Sequence, residues 1–149
     1  MSGLVFPEKV VIDTNVLVSA LWSKCGKSAQ ILTLILNDLL IPCVCSEIIQ
    51  EYQDVLSRPH LVFHFNEARV EEIIGKIMAD ALSVVVKPSS VPFIDESDRV
   101  FYDVAIACSA YLITGNAKHF PHEPFILPPS QFLSLLDGQH FILENRGFL

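Results

Sequence analysis

The sequence predicts one α/β domain built on a parallel sheet of four to five strands flanked by helices. Short apolar runs rich in β-branched residues alternate along the chain with longer segments of helical periodicity. The 149 residues suffice for one domain but not for two. Because 51% of the residues are hydrophobic and only 18% are charged, the composition excludes a disordered chain.

The first half of the chain is predicted to contain two strands and four helices. In chain order they are strand 9–12, helices 16–22 and 28–36, strand 40–45, and helices 46–56 and 67–81. Both strands are short apolar runs of the kind that is buried on two faces in a parallel sheet. Gly26 separates the first two helices, Ser46 is a good N-cap for the third, and Arg58-Pro59 ends it. Asn66 is a good cap for the fourth.

The second half is predicted to contain three strands and two helices. In chain order they are strand 83–86, a loop at 87–92, helix 98–110, strands 111–114 and 124–127, and helix 129–136. Pro129 stands near the start of the last helix, where a missing amide proton costs nothing. We therefore expect a single domain over residues 1–149, with a core at about 9–136 and an unassigned tail at 137–149.

The charge balance argues against one class of nucleic-acid binder. Seventeen Asp and Glu face ten Lys and Arg, which gives a formal net charge of −7. A protein that binds nucleic acid through a broad basic face has the opposite balance. An enzyme that meets phosphates through a metal ion remains compatible with an acidic chain, so the positions of the acids become the question.

The sequence favours a cytoplasmic protein. Its start lacks the basic and apolar regions of a signal peptide, and its most apolar stretch, 31–44, is interrupted and too short for a membrane span. The four cysteines show neither zinc-site spacing nor a disulfide framework, so we expect buried thiols in a reducing compartment. They are Cys25, Cys43, Cys45 and Cys108.

Ligands of parallel sheets bind beyond the carboxyl ends of the strands, which directs attention to Asp13. This acid ends the first predicted strand, where a carboxylate is costly to bury without compensation. It is either a metal ligand or catalytic acid, or an N-cap for the next helix, and its position alone does not separate these alternatives.

Three further acids are placed to join Asp13. Glu51 lies nearest the apolar stripe of its helix, whereas Glu47 and Asp54 point further outwards. Asp98 belongs to a cluster of three acids within residues 95–98, more than capping requires. Asp103 interrupts an uncharged helical run, either as a site residue or as the partner of an ion pair with Arg99 four residues earlier.

A convergence of Asp13, Glu51, Asp98 and Asp103 at one sheet edge predicts a cation site. Two carboxylates about 4 Å apart repel by about 4 kcal/mol at an effective dielectric of 20, so a bound cation or protonation must compensate them. Hard oxygen ligands favour Mg²⁺ or Mn²⁺, and such sites carry out phosphoryl chemistry.

Four segments, in order, resemble the motifs of PIN-domain proteins. They are 11–20 (VIDTNVLVSA), 46–59 (Ser46 and Glu51 followed by VLSRP), 95–105 (DESDRVFYDVA) and 111–120 (YLITGNAKHF). The resemblance covers about residues 9–136 and comes nearest to the toxin components of bacterial and archaeal toxin–antitoxin systems. It implies a Rossmann-like three-layer fold and a Mg²⁺- or Mn²⁺-dependent ribonuclease, often a homodimer, that acts on RNA and is held inactive by an antitoxin protein.

The resemblance also assigns roles to particular residues. It implies that Asp13, Glu51, and the Asp98 and Asp103 pair hold the metal, without deciding which of the pair binds it directly. Supporting roles fall to Asn15, Thr114 and Asn116. Many relatives have aspartate at the position of Asn116, and this departure puts a second metal ion in doubt. Basic residues expected near the RNA backbone are Arg58, Arg99 and Lys118, together with Lys24 and Lys27.

Two alternatives remain. Aspartyl-nucleophile phosphatases also have a first strand that ends in Asp, but they need a second Asp where this chain has Asn15. The other alternative is a PIN-like binding module whose metal site is weakened or inactive because position 116 is Asn.

Overall fold

The structure is a computed structural model that describes residues 8–62 and 64–145. Its strands are β1 (Glu8–Ile12), β2 (Leu40–Val44), β3 (Leu82–Ser83), β4 (Tyr111–Ile113) and β5 (Ile126–Leu127). Its α-helices are α1 (Thr14–Trp22), α2 (Lys27–Leu36), α3 (Ser46–Leu56), α4 (Pro59–Val62), α5 (Glu67–Asp80), α6 (Arg99–Cys108) and α7 (Pro129–Asn145). Two short 3₁₀ helices, Glu96–Asp98 and Ala117–His119, precede α6 and follow β4.

The five strands form one parallel sheet in the order β3-β2-β1-β4-β5. The chain first builds outwards from β1 to β2 and β3, and then crosses over to add β4 and β5 on the other side. The direction of winding therefore reverses between β1 and β4, and their carboxyl ends border the crevice where ligands of such sheets bind. The sheet confirms the predicted α/β class.

Helices cover the sheet, and β1 is buried on both faces. Val10 and Val11 point to opposite faces of this strand, and both have no solvent-exposed surface. Helix α6 contacts β1, β2 and β4, while α1, α2 and α3 pack in a connected layer. Burial on both faces explains why β1 reads as a continuous apolar run rather than an alternating one.

Several element boundaries differ from the prediction for local physical reasons. The predicted strand 83–86 is shorter and starts one residue earlier, since β3 pairs with β2 at Leu82 and Ser83. Val85 is fully exposed because it lies beyond the last strand pair at the sheet edge. Cys45, not Ser46, occupies the N-cap of α3. Pro59 opens the short helix α4, since proline is tolerated in a first helical turn.

The two helices of the second half also differ in length from the prediction. Helix α6 starts one residue late, after the 3₁₀ turn, and ends before Ser109, whose φ of 52° is left-handed and stops the helix. Helix α7 continues through Asn145, so most of the unassigned tail is helical; residues 146–149 lie outside the described part.

The cysteines follow the prediction with one exception. Cys43, Cys45 and Cys108 are buried, but Cys25 is exposed because it lies in the turn between α1 and α2. None of the four forms a disulfide. No helix within residues 8–62 and 64–145 combines the length and the apolar character that a membrane crossing requires.

Candidate active site

The carboxyl ends of β1 and β4 place Asp13 and Thr114 side by side. The amide of Asp13 extends the strand pairing by donating to the carbonyl of Ile113 at 3.0 Å. Both side chains are buried, with 7% of Asp13 and none of Thr114 exposed. The site therefore begins at the crevice that the sheet topology creates.

The carboxylate of Asp13 is oriented across the crevice by Thr114. The Thr114 hydroxyl donates to Oδ2 of Asp13 at 2.7 Å and accepts the amide proton of Asn116 at 3.0 Å. Asp13 does occupy the N-cap position of α1, and its carbonyl accepts the amide of Val16, but its side chain makes no capping hydrogen bond. Capping thus explains the position of Asp13 but not the direction of its carboxylate.

The electrostatic environment disfavours the charged form of Asp13. Burial is the largest cause that raises the pKa of this carboxyl above its usual value, and the charge of Glu51 raises it further. Hydrogen bonds from Thr114 and from the Thr14 backbone, together with the nearby His119, act in the opposite direction. A positive charge at this position would offset the remaining free-energy cost of ionising Asp13.

Helix α3 brings Glu51 to the same place. This half-buried carboxylate accepts a hydrogen bond from the hydroxyl of Thr14, the first residue of α1. The two threonines that flank the site therefore act alike, because each holds one carboxylate by its hydroxyl. Nothing in the sequence pattern distinguished Thr14, whose role depends on the packing of α1 against α3.

Asp98 is the third carboxylate of the site. Partial burial, followed by the charges of Asp13 and Asp95, raises its pKa to about 6, while His119 lowers it. Its neighbours have other partners, since Asp95 accepts from Ser97 and Glu96 pairs with Arg99. Within the described part of the chain, the carboxylate of Asp98 accepts no hydrogen bond, so Asp98 is the acid of this cluster that local structure leaves unexplained.

Asp103 binds a different partner from these three acids. It is buried on α6, where its Oδ2 accepts the amide proton of Ser89 at 3.0 Å. It is not among the groups with the largest influence on the pKa of Asp98. The alternative ion pair with Arg99 is not formed either, because Arg99 pairs with Glu96 at 2.8 Å. Of the four predicted carboxylates, the structure thus brings together Asp13, Glu51 and Asp98.

The predicted supporting amides lie at the mouth of the crevice. Asn15 is exposed, and its Oδ1 accepts the amide of Gly115 at 3.4 Å, which links the start of α1 to the loop after β4. Asn116 is also exposed and contacts the site through its backbone amide on Thr114. His119, in the 3₁₀ turn that follows, influences Asp13, Asp95 and Asp98 electrostatically and adds an imidazole beside the site.

The three basic residues expected at the RNA backbone have different positions. Lys118 is exposed in the turn after Asn116, beside the site. Arg58 follows the end of α3, about 18 Å along the helix axis from its start at the sheet edge. The guanidinium of Arg99 donates within the chain to Ser89, Val91 and Glu96, so it serves the local structure.

The three acids fit a hard divalent cation by their chemistry. They supply carboxylate oxygens, they carry like charges, and burial disfavours the charged forms of Asp13 and Asp98. As they stand, no three His, Cys, Asp or Glu within residues 8–62 and 64–145 are grouped closely enough to hold a metal ion. In this arrangement the hydroxyls of Thr114 and Thr14 donate to the carboxylates of Asp13 and Glu51.

A buried tyrosine fixes the strand end that carries Asp13. Tyr52 follows Glu51 on α3, is 2% exposed, and donates from its hydroxyl to the carbonyl of Ile12 at 2.6 Å. Tyr52→Phe leaves this carbonyl with one partner fewer, and we expect a loss of about 1 kcal/mol in the free energy of unfolding. Thermal denaturation should show a fall in Tm of about 2–4 °C. An unchanged Tm would contradict this contribution.

Comparison with known proteins identifies the family. The family model described as the PIN domain matches residues 9–118, which is most of the described chain. An uncharacterized protein of Methanocaldococcus jannaschii, MJ1680, is 33% identical over 111 residues, covering 72% of this chain and 70% of the relative. The four predicted motifs overlap the matched region, and the family that they indicated is confirmed. The chain therefore belongs to the PIN domain family, whose members are generally nucleases that usually use divalent metal ions.

Proposed function

We propose that this protein is a Mg²⁺- or Mn²⁺-dependent endoribonuclease that hydrolyses RNA phosphodiester bonds. The observation that carries the proposal is the meeting of Asp13, Glu51 and Asp98 near the reversal point of the sheet, where the charge of Glu51 raises the pKa of Asp13 and the charges of Asp13 and Glu51 raise the pKa of Asp98. Membership of a family whose members are generally nucleases supports nucleic acid as the substrate, and RNA is part of the proposal.

The chain's own residues divide the work of the proposed reaction. Asp13, Glu51 and Asp98 would hold the cation, which when bound supplies positive charge to offset that of a phosphodiester under attack. Thr114 and Thr14 orient two of these carboxylates through their hydroxyls. His119 and Lys118, in the turn beside the site, are placed to meet substrate phosphate charge.

The paired variants Asp98→Asn and Asp103→Asn separate a ligand from a structural acid. We expect Asp98→Asn to lower Mn²⁺-dependent cleavage of single-stranded RNA by about 100-fold or more, because even partners of metal ligands cost 10–100-fold. Asp103→Asn should lower Tm and leave most of the activity, because the amide oxygen of asparagine can still accept the Ser89 amide and keep the segment before α6 in place, although without the charge. Cleavage of a fluorescently labelled oligonucleotide measures both. The reverse ranking of activities would contradict this assignment.

The proposal extends to the biological setting that the four motifs imply. We propose a cytoplasmic toxin of a toxin–antitoxin pair that acts as a homodimer and is silenced by a small antitoxin protein. Expression of the protein should then arrest growth, and coexpression of the antitoxin, sought in the adjacent gene, should restore it. Growth arrest that persists in Asp13→Asn would contradict the toxin proposal.

A second candidate is a nucleic-acid-binding module without hydrolysis. The exposed Asn116 adds no negative charge, and no three candidate ligands in the described residues are grouped closely enough to hold a metal ion as they stand. Isothermal titration with Mn²⁺ distinguishes the two functions. Heat of binding that disappears in Asp13→Asn supports the nuclease, whereas an absence of binding in the unmodified protein supports the module.

A further inference from the structure

The one tryptophan of the chain is exposed at the end of α1. Trp22 has 54% of its surface exposed, although an indole of this size is normally covered in a monomeric domain. Its ring packs against the ring of His64, at a centroid distance of 4.3 Å, and against Phe65 in an edge-to-face arrangement at 6.0 Å. The indole is thus supported in place while much of it remains open to solvent.

The exposed face of α1 connects this indole to the candidate active site. Asn15, Ser19 and Trp22 are exposed and follow one another at spacings of four and three residues, so they lie on one side of the helix. Asn15 accepts the amide of Gly115 at the mouth of the crevice. Trp22 lies about 10 Å further along the helix axis, at 1.5 Å per residue.

The two chain segments that carry Trp22 and its aromatic supports are basic in a protein that is acidic overall. No Asp or Glu occurs between Asp13 and Asp38, nor between Asp54 and Glu67, and these two segments supply the indole and its aromatic supports. The segments contain the cations Lys24, Lys27 and Arg58, all of them exposed. Across residues 8–62 and 64–145, ion pairs involve Arg69, Lys76 and Arg99 but none of these three.

We propose that Trp22 is a stacking platform for a base of a single-stranded RNA whose scissile phosphate lies at the acidic site. An exposed aromatic face combined with cations that form no ion pair, here carried by the same chain segments, is the combination that binds single strands, through stacking and phosphate contacts. At a stacked spacing of 3.4 Å, a strand of about three to four nucleotides spans the distance along α1. The inference rests on the proposed function, because it deepens the description of the substrate of that same site.

Intrinsic fluorescence tests this proposal directly, because Trp22 is the one tryptophan of the chain and therefore the source of all tryptophan emission. A 12-nucleotide single-stranded RNA is titrated in EDTA, where the proposed nuclease is inactive. We expect saturable quenching in the unmodified protein. The variants lack the indole, so their affinity is measured by the anisotropy of a fluorescein-labelled copy of the same RNA. We expect binding weakened about tenfold or more in Trp22→Ala and most of the affinity retained in Trp22→Phe. Ile106→Ala is the matched control, since Ile106 is 52% exposed on α6, and it should leave the affinity unchanged.

The salt dependence tests the accompanying cations. Lys24→Gln combined with Lys27→Gln should reduce the slope of log K against log salt by about 1.4, because each contact with a single strand contributes about 0.7. An absence of quenching, an affinity unchanged in Trp22→Ala, or an effect of Trp22→Ala on sedimentation instead of RNA affinity would each overturn the proposal.

The two proposals fail in distinguishable ways. Quenching by RNA in a protein that never cleaves RNA with Mg²⁺ or Mn²⁺ would refute the nuclease proposal and leave the proposal that Trp22 stacks on a base. Cleavage that is unaffected by Trp22→Ala, together with no quenching of Trp22 fluorescence by RNA in the unmodified protein, would refute the stacking proposal and leave the nuclease proposal.

Discussion

Asp13→Asn is expected to reduce metal-dependent RNA cleavage by at least about 100-fold, since loss of a mere partner of a ligand already costs 10–100-fold. The substitution keeps the size of the side chain and removes the charge at the centre of the site. We also expect Mn²⁺ to raise the Tm of the unmodified protein by relieving carboxylate repulsion, and this rise should be blunted in the variant. Cleavage assays and thermal scans with and without Mn²⁺ measure the two effects.

The stability of Asp13→Asn in EDTA serves as its control. Because the folded protein raises the pKa of Asp13, its charged form destabilises the fold, and that cost is fully present once the pH exceeds the folded pKa. The neutral amide should therefore give an equal or higher Tm at pH 8 without metal. Thr114→Val, which removes only the hydroxyl that orients Asp13, should lose less activity. Full activity in Asp13→Asn would refute the assignment of the site.

The centre of the sheet could be predicted from the sequence because its strands are buried. Burial of β1 produces the apolar run that ends at Asp13, and the same pattern identifies β2 and β4. The length of the edge strand β3 was overestimated, since Val84 and Val85 have high β-propensity but lie where strand pairing stops. β-propensity describes the residue and not the presence of a neighbouring strand.

The candidate site was predictable only in part, because a sequence pattern fixes helix faces and not their neighbours. The end of β1 marked Asp13, and the helix wheel marked Glu51. Asp98 and Asp103 were not separable from the sequence, because both lie near one helix start and only the loop packed on α6 decides between them. The role of Thr14 required the packing of α1 against α3, which no local pattern contains.

Arg99 shows how a residue predicted to meet RNA is instead engaged within the chain. Its guanidinium donates to the carbonyls of Ser89 and Val91, both at 2.6 Å, and to both oxygens of Glu96 at 2.8 Å. The same group lies over the ring of Phe93, 4.9 Å from the centroid. Backbone groups in an irregular segment need such partners, because no strand or helix supplies them.

Helix α6 thus holds the segment before it with two charged side chains. Arg99 binds carbonyls of this segment, and Asp103 binds the amide of Ser89 within it. The segment runs on to Asp95 and Asp98, so its placement positions the third acid of the site. Both residues are positioning residues in this account, and neither needs to touch the substrate.

Arg99→Ala should therefore lower Tm by about 5–10 °C, because it removes several hydrogen bonds to a charged donor at once. Arg99→Lys should restore only part of this loss, since a lysine ammonium cannot reproduce the planar fork that binds carbonyls and carboxylate together. Thermal denaturation measures the loss, and hydrogen exchange of the amides between residues 87 and 95 shows where it arises.

The salt dependence of RNA binding separates this role from a phosphate contact. A positioning role leaves the slope of log K against log salt unchanged in Arg99→Ala, whereas a phosphate contact lowers it by about 0.7 for a single strand. A reduced slope with unchanged Tm and exchange would show that Arg99 meets RNA after all. An unchanged slope, together with faster exchange at 87–95, would show that Arg99 holds this segment in place. The position of Asp98 would then depend on a residue outside the site.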